Sequence, residues 1–279
     1  MEGIIIKNIS NDYLVKSGEN CYLCKARGKF RQMKLVPLVG DRVIFDETEH
    51  YLLEILERKN FLVRPSVANV DQAIIVSSVK RPDLDTYLLD KLLTIVSYSN
   101  IDPIICFTKL DLLNDEERGY IQEYIDYYKR VGYSVVINED KEAILELLHG
   151  KITVLAGQSG SGKSSLINRL DSSLKLKTDD ISFALNRGKH TTRHTQLYEI
   201  NGGYIVDTPG FSDIDFLGMK RIDIRDNMKE MFDGVHYCKY RDCMHLKEDG
   251  CYVREQVENG KIMGSRYINY CSFIERCKL

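Results

Sequence analysis

Residues 1–63 carry short apolar-rich runs separated by turn residues. Residues 3–6, 12–15, 20–27 and 41–45 read as strands, with Gly18, Gly28 and Gly40 as punctuation. Short strands at such close spacing predict a small barrel. From about residue 70 the rhythm lengthens. Ala73-Ile74-Ile75-Val76 is an apolar run of the buried-strand kind. Tyr87, Leu88, Lys91, Leu92, Ile95 and Val96 then follow at helical spacing. Residues 103–108, 134–137, 152–156 and 204–206 read as further strands. Asn114 with Glu117 predicts a capping box for a helix through Tyr128. Strands alternating with helices predict a parallel sheet with helices on both faces. Residues 219–279 predict helices broken by a cysteine-rich loop at 238–251. Three domains are therefore expected, at 1–64, 65–218 and 219–279.

Composition adds limits. The chain has 279 residues, 43% apolar and 29% charged, enough for a real core in two or three units. No stretch is long and apolar enough to predict a membrane span, and the first residues lack a secretory pattern. A cytosolic protein is expected. The formal charge of −2 is unevenly spread: the centre, 65–218, has 16 Lys+Arg against 22 Asp+Glu, while both ends are mildly basic. That pattern is compatible with a polyanion gripped by the ends. Eight cysteines, several clustered, point to metal rather than disulfides in a cytosolic chain.

The strand at 152–156 runs into Gly157-Gln158-Ser159-Gly160-Ser161-Gly162-Lys163-Ser164-Ser165 and then into a helical segment. This is G-x-x-x-x-G-K-[ST] in its strand–loop–helix setting. The glycines let backbone N–H groups curl round phosphate oxygens, and the following helix turns its positive end to the anion. Lys163 is expected to reach the β- and γ-phosphates, and the Ser164 hydroxyl to ligate Mg²⁺.

A phosphate loop does not select the base. Thr108-Lys109-Leu110-Asp111 ends an apolar strand, where ligands bind in open α/β sheets. The Asp111 carboxylate can accept from guanine N1–H and the 2-amino group together, and adenine has no such donor pair. The motif resembles the N-K-x-D element of GTPases, with Thr108 in the Asn place. Its hydroxyl can still reach the phosphate loop. Asp207-Thr208-Pro209-Gly210 resembles the D-x-x-G element, in which Asp207 would hold Mg²⁺ through water and the Gly210 N–H would meet the γ-phosphate. Between them, Thr191 and Thr192 could complete the Mg²⁺ shell. The order is base motif, phosphate loop, threonines, D-x-x-G, which is rotated relative to ordinary small GTPases. The segment after Gly210 leads straight into the C-terminal unit, so loss of the γ-phosphate could be passed to that unit.

Cys238-x₄-Cys243-x-His245-x₅-Cys251 offers three thiolates and one imidazole, the closed tetrahedral set of a structural Zn²⁺ site. His236 falls outside the spacing. Cys21 and Cys24 lie in a predicted strand with opposite facing, which does not suit a metal pair.

These segments together resemble the circularly permuted GTPases that depend on the small ribosomal subunit, the ribosome biogenesis GTPase A family. Val39-Gly40-Asp41-Arg42-Val43, Ala68-Asn69-Val70-Asp71-Gln72, residues 108–111, 157–165, 188–192 and 207–211 and the Cys₃His set carry the likeness. The resemblance implies an N-terminal OB-fold barrel, a permuted α/β P-loop GTPase domain and a C-terminal, mostly helical zinc domain. It also implies a Mg²⁺-dependent GTP hydrolase that acts late in small-subunit maturation and is stimulated by the subunit. The partners would be the subunit with its rRNA, and GTP or GDP, with no membrane; a monomer is expected. Two positions depart from the pattern. Asn138 stands where the family's guanine loop often has Ser. Phe211 stands where many GTPases carry a water-orienting Gln, so intrinsic hydrolysis should be slow. His190 and His194 are the candidates to orient water, with the ribosome as the alternative source. Lys25, Arg27, Lys29 and Arg31 recur at every second residue with Tyr22 and Phe30 interleaved. As a strand face or, turned at Gly28, a basic hairpin, they would suit rRNA phosphates. Two other readings stay open: an rRNA-binding module in which nucleotide is mainly structural, and a P-loop ATPase, which Asp111 opposes.

Overall fold

The structure, a computed structural model, describes residues 1–10, 12–62, 66–174, 195–206, 215–216 and 218–277. The chain divides into two compact units. The first comprises Met1–Ala73, Lys141–Leu155 and Ile167–Phe211, and the second Ile74–Asp140, Ala156–Leu166 and Ser212–Leu279.

In the first unit, β1 (Glu2–Ile9), β2 (Asp12–Ser17), β3 (Asn20–Ala26), β4 (Arg42–Asp46) and β5 (Tyr51–Ile55) form a closed barrel in the order β1-β2-β3-β5-β4. Antiparallel β1–β4 pairing and parallel β3–β5 pairing close it. Ile5, Val15, Cys24, Val43, Phe45 and Leu52 are buried at its centre, as alternation along each strand requires. Cys21 is exposed while Cys24 is buried, so the two do face opposite ways. The small barrel of the sequence reading is present. The strand or hairpin expected to carry the basic residues is not. Strand β3 stops at Ala26, and α1 (Gly28–Gln32) follows, so Lys25, Arg27, Lys29 and Arg31 form neither one strand face nor a hairpin turned at Gly28. Phe30 is buried within this helical turn, and its N–H donates to the Arg27 carbonyl at 3.1 Å. Burying that ring decides the local structure against the alternating pattern.

Two segments that carry the family likeness meet in this unit. Gly40 has φ +89°, and a Cβ there would lie 2.2 Å from the Ala68 carbonyl oxygen. Only glycine allows that approach. Asn69 Nδ2 donates to the Gly40 carbonyl at 2.9 Å. Asp41 is fully buried and accepts from Arg58 Nε and Nη2 at 2.6 and 2.7 Å, a two-pronged ion pair. Asp71 Oδ2 accepts from the Ile152 N–H at 2.8 Å, and Gln72 Nε2 donates to Thr153 Oγ1 at 2.9 Å. β6 (Phe61–Leu62) pairs antiparallel with β7 (Val67–Ala68).

The α/β part follows. β8 (Gln72–Ser78) and β11 (Ile152–Ala156) pass from the first unit into the second. Within the second unit, β9 (Asp102–Thr108) lies between β8 and β10 (Ser134–Ile137). β10 runs parallel to β9, from Ser134 opposite Ile104 to Ile137 opposite Phe107. That register brings Thr108 and Asn138 out at the same end of the sheet, and the Asn138 N–H donates to the Phe107 carbonyl at 3.0 Å. Within the first unit the order is β11-β13-β12, with β12 (Leu197–Ile200) and β13 (Gly203–Val206). β11 and β13 are parallel, but β12 is antiparallel to β13. The expectation of an all-parallel sheet is therefore corrected at β12. Asn201 and Gly202 have φ +51° and +71°, the conformation of a two-residue hairpin turn, and such a turn can join only antiparallel strands.

Helices α2 (Thr86–Tyr98), α3 (Asp115–Val131), α4 (Lys141–Leu148) and α5 (Lys163–Leu170) connect these strands. The Asn114–Glu117 capping box is formed in both directions, and Gly132 at φ +94° ends α3. After the α/β part come α6 (Arg221–Asp226), α7 (Lys229–Val235), α8 (Tyr252–Glu258) and α9 (Gly264–Arg276). They pack round Met228, Met231, Val253, Tyr270, Phe273 and Ile274. Among the described residues no helix is long and apolar enough to cross a membrane.

Candidate functional site

The phosphate loop lies between β11 and α5, as its sequence setting predicts. Gly157, Gly160 and Gly162 have φ of +132°, +76° and +99°. Gly157 is the most constrained, because a Cβ there would sit 2.2 Å from the Val76 carbonyl oxygen. Lys163 and Ser164 open α5 and are buried, and Lys163 Nζ donates to the Gly157 and Gln158 carbonyls at 2.7 Å each. The loop thus encloses its own ammonium. Ser161 Oγ is buried without a hydrogen-bond partner. Ser159 and Ser165 are exposed.

The base motif is tied to this loop across 53 positions of chain: Thr108 Oγ1 donates to the Ser161 carbonyl at 2.7 Å, and both residues are buried. The threonine does what the short-hydroxyl reading required. Lys109, at φ +66°, donates from Nζ to the Gly160 carbonyl at 2.8 Å and also to the Arg81 carbonyl. Asp111 lies in a single 3₁₀ turn, Leu110–Leu112, and is exposed. Exposure leaves its carboxylate available to a ligand. The structure therefore brings Thr108, Lys109, Gly160, Ser161 and Lys163 together. His190, Thr191, Thr192, His194, Asp207, Gly210 and Phe211 lie outside the described residues.

Sequence reasoning missed the supports of this site. Lys80 grips Glu117 at 2.7 and 2.8 Å, and Glu117 is also the partner of the cap residue Asn114 in the capping box of α3. Its hydrogen bond with Lys80 holds the Glu117 carboxyl below the usual range. The Val79 N–H donates to the Thr108 carbonyl at 3.1 Å. A lysine two residues past an apolar strand was the available signal.

The cysteine cluster assembles as its spacing predicts. The ligand atoms of Cys238, Cys243, His245 and Cys251 all lie within 4.8 Å of one another. His245 Nδ1 is 3.5 Å from Cys238 Sγ and 3.4 Å from Cys251 Sγ, and those two sulfurs are 4.0 Å apart. A tetrahedral site with Zn–S near 2.3 Å and Zn–N near 2.0 Å needs separations of roughly 3.5–3.8 Å, so the donors fit a zinc-sized cation. His245 Nε2 faces the Met231 carbonyl at 3.0 Å, which leaves Nδ1 as the ligand nitrogen. Burial lowers the His245 pKa and pushes the Cys243 thiol up to about 12. A metal takes cysteine as the thiolate, so a bound cation would have to displace the Cys243 proton. The Glu248 carboxylate shapes the loop by accepting from the N–H groups of Met244, Leu246 and Lys247 at 2.8, 2.8 and 2.9 Å. From α9, Tyr267 and Tyr270 donate to the His245 and Met244 carbonyls at 2.6 and 2.7 Å. His236 is not part of the cluster.

Residues 55–217 match the family model described as RsgA GTPase, and residues 2–51 match the RsgA N-terminal domain. The small ribosomal subunit biogenesis GTPase RsgA of Bacillus cereus is 45% identical, over 99% of this chain and 97% of that protein. Among solved structures, YloQ, a circularly permuted GTPase, aligns with a TM-score of 0.84 at 37% identity, covering 98% of this chain and 93% of its own. YjeQ from Thermotoga maritima aligns with a TM-score of 0.85 at 37% identity, covering 98% and 97%.

Proposed function

The chain belongs to the RsgA GTPase family and is a GTP hydrolase, and from that premise we propose that it binds the small ribosomal subunit and hydrolyses GTP as a step in that subunit's late maturation. The observation that carries the reading is the pair of bonds from Thr108 to Ser161 and from Lys109 to Gly160. They join a guanine-type motif to a phosphate loop that follows it in the chain, which is what a permuted GTPase requires. The names of the relatives point to the small subunit as partner.

Each group has a role in this reading. Residues 157–165 cradle the phosphates with backbone N–H groups, and Lys163 neutralises charge on the β- and γ-phosphates. Asp111 reads guanine, and Thr108 and Lys109 hold the base motif against the phosphate loop. Ser164, with Thr191, Thr192 and Asp207, would hold Mg²⁺, which when bound offsets negative charge on the transferring group. The Gly210 N–H answers to the γ-phosphate. His190 is the side chain assigned to orient water, with the subunit needed to complete the arrangement. Cys238, Cys243, His245 and Cys251 would hold zinc, which when bound would brace the loop between α7 and α8. Domains at 1–64, 65–218 and 219–279 divide the labour, with Lys25, Arg27, Lys29 and Arg31 giving the first a basic contact for rRNA. The protein works in the cytoplasm, as a monomer.

The test is GTP turnover with and without purified small subunits, with large subunits as control. Strong stimulation by small subunits alone is expected. Turnover that neither subunit changes would remove the ribosomal part of the proposal.

A further inference from the structure

Arg266 is one of the largest fully buried side chains in the molecule. Its planar guanidinium sits in the second unit at the meeting point of four helices. From α9, Nη1 donates to Asp90 Oδ1 on α2 at 2.6 Å. Nε and Nη2 donate to the two oxygens of Glu230 on α7 at 2.8 and 3.1 Å, and Nη2 also reaches the Tyr133 hydroxyl at 3.0 Å. The acceptors are held in turn. Tyr128 of α3 donates to Asp90 Oδ1 at 2.6 Å, Asn269 to Asp90 Oδ2 at 2.7 Å, and Tyr127 to Glu230 Oε1 at 2.6 Å. Side-chain exposure is 1% for Arg266, 0% for Asp90 and 6% for Glu230. A guanidinium so enclosed is held in one geometry, and a fork of this shape fixes the angles of its partners as well as their distances.

The seam so made, α2 against α9, touches the nucleotide machinery on two sides. Leu88, Leu89 and Leu92 of α2, which flank Asp90 along the helix, share a small cavity with Gly157 and Gln158 of the phosphate loop. Asp215 and Phe216, the first described residues after Gly210, are held at the same seam. Asp215 pairs with Lys91 of α2 at 3.5 Å, and the Phe216 ring lies 4.9 Å from that of Phe273 on α9. Tyr87 of α2 also stacks edge-on against Phe273 at 5.0 Å.

We propose that Arg266 is a positioning residue for hydrolysis: it fixes α2 on α9, and α2 forms one wall of the small cavity whose other wall is the phosphate loop at Gly157 and Gln158. The C-terminal helices thereby act on the nucleotide site through α2. A shift of α9, or of the chain where it returns at Asp215, moves the loop. The inference rests on the GTPase reading above.

Removing Arg266 would strand two buried carboxylates, so the test uses gentler changes. Asp90→Asn keeps the shape and removes one charge. Tyr128→Phe removes one oxygen and decides alone if the first variant does not fold. Melting temperature, kcat and KM for GTP with and without small subunits, and the affinity for fluorescent GDP are measured below every unfolding transition. A change of about fivefold or more in kcat or in GDP affinity is expected, within the range of remote couplings. A lower melting temperature with all of these constants within about twofold of the parent would mean that the network only stabilises the fold, and would overturn the proposal. If the parent itself shows no GTP turnover, the GTPase reading fails, and the GDP affinities still decide the role of the seam.

Discussion

Gly157→Ala tests the phosphate loop with a single methyl group. At φ +132° the backbone lies outside the range an L-residue adopts, and the new Cβ would meet the Val76 carbonyl oxygen at 2.2 Å and its carbon at 3.1 Å. Val76 is fully buried in β8, so its carbonyl cannot swing aside without moving the strand. Backbone strain of this kind costs on the order of 1–3 kcal/mol, and forcing apart a packed core adds roughly 1–3 kcal/mol. The melting temperature should therefore fall by roughly 5–20 °C. Gly160→Ala is the matched control. It also has positive φ, +76°, but its nearest neighbour, Pro82 Cδ, is 3.7 Å away, an ordinary contact. That change should cost only about 1 kcal/mol. Thermal unfolding and fluorescent-GDP titration of both variants give the comparison, with Gly157→Ala falling several times further and losing GDP binding. Equal small shifts with GDP affinity intact in both would refute the argument that contact with Val76 sets the loop's shape.

Other outcomes follow from the same geometry. Asp111→Asn should weaken GDP binding roughly 10- to 100-fold, the worth of charge-assisted hydrogen bonds to two donors. A competition assay should then show a smaller preference for GDP over ADP, and an unchanged preference would remove Asp111 from base reading. On the proposed zinc assignment, Cys251→Ser should lose most of the metal by elemental analysis and lower the melting temperature, because α8 begins at that residue; full zinc content would show that the other donors suffice. Replacing Lys25, Arg27, Lys29 and Arg31 together by Ala should weaken small-subunit binding and flatten its salt dependence by up to roughly 3 in log–log slope. Equal binding at every salt concentration would release these four side chains from any rRNA role.

The parts legible in the sequence are those whose chemistry is local. The phosphate loop needs glycine at fixed offsets, the metal set needs four donors at short spacing, and the capping box needs Asn114 and Glu117 three residues apart. Each of these appears where it was read. Even the bond from Thr108 to the loop followed from the size of its side chain. What the sequence hides are features decided by distant partners. The basic alternation at 25–31 read as a strand face or a hairpin turned at Gly28, but burial of Phe30 goes with a helical turn instead. β12 was not visible because, among the described residues, its four residues pair through a hairpin with β13 and are too few to show a period. The Asp90–Arg266 pair joins residues 176 positions apart, each sitting in an ordinary amphipathic helix. No periodicity marks such a charge as buried, because only the packing of α2 on α9 removes it from water.

The hairpin of β12 and β13 has a bearing on how the protein behaves at high concentration. An end strand exposes a row of unpaired backbone groups, which can template growth by a neighbouring molecule. β12 is the end strand of its run. Just before it, Gln196 forms an antiparallel bridge to Lys7 of β1, and within it Glu199 is paired with Lys16 of β2. The barrel, being closed, has no end strand of its own. Within the first unit the closed barrel thus covers the approach to β12 at Gln196, and the Lys16–Glu199 pair sets charges beside the strand, two features that discourage a passing chain from pairing there.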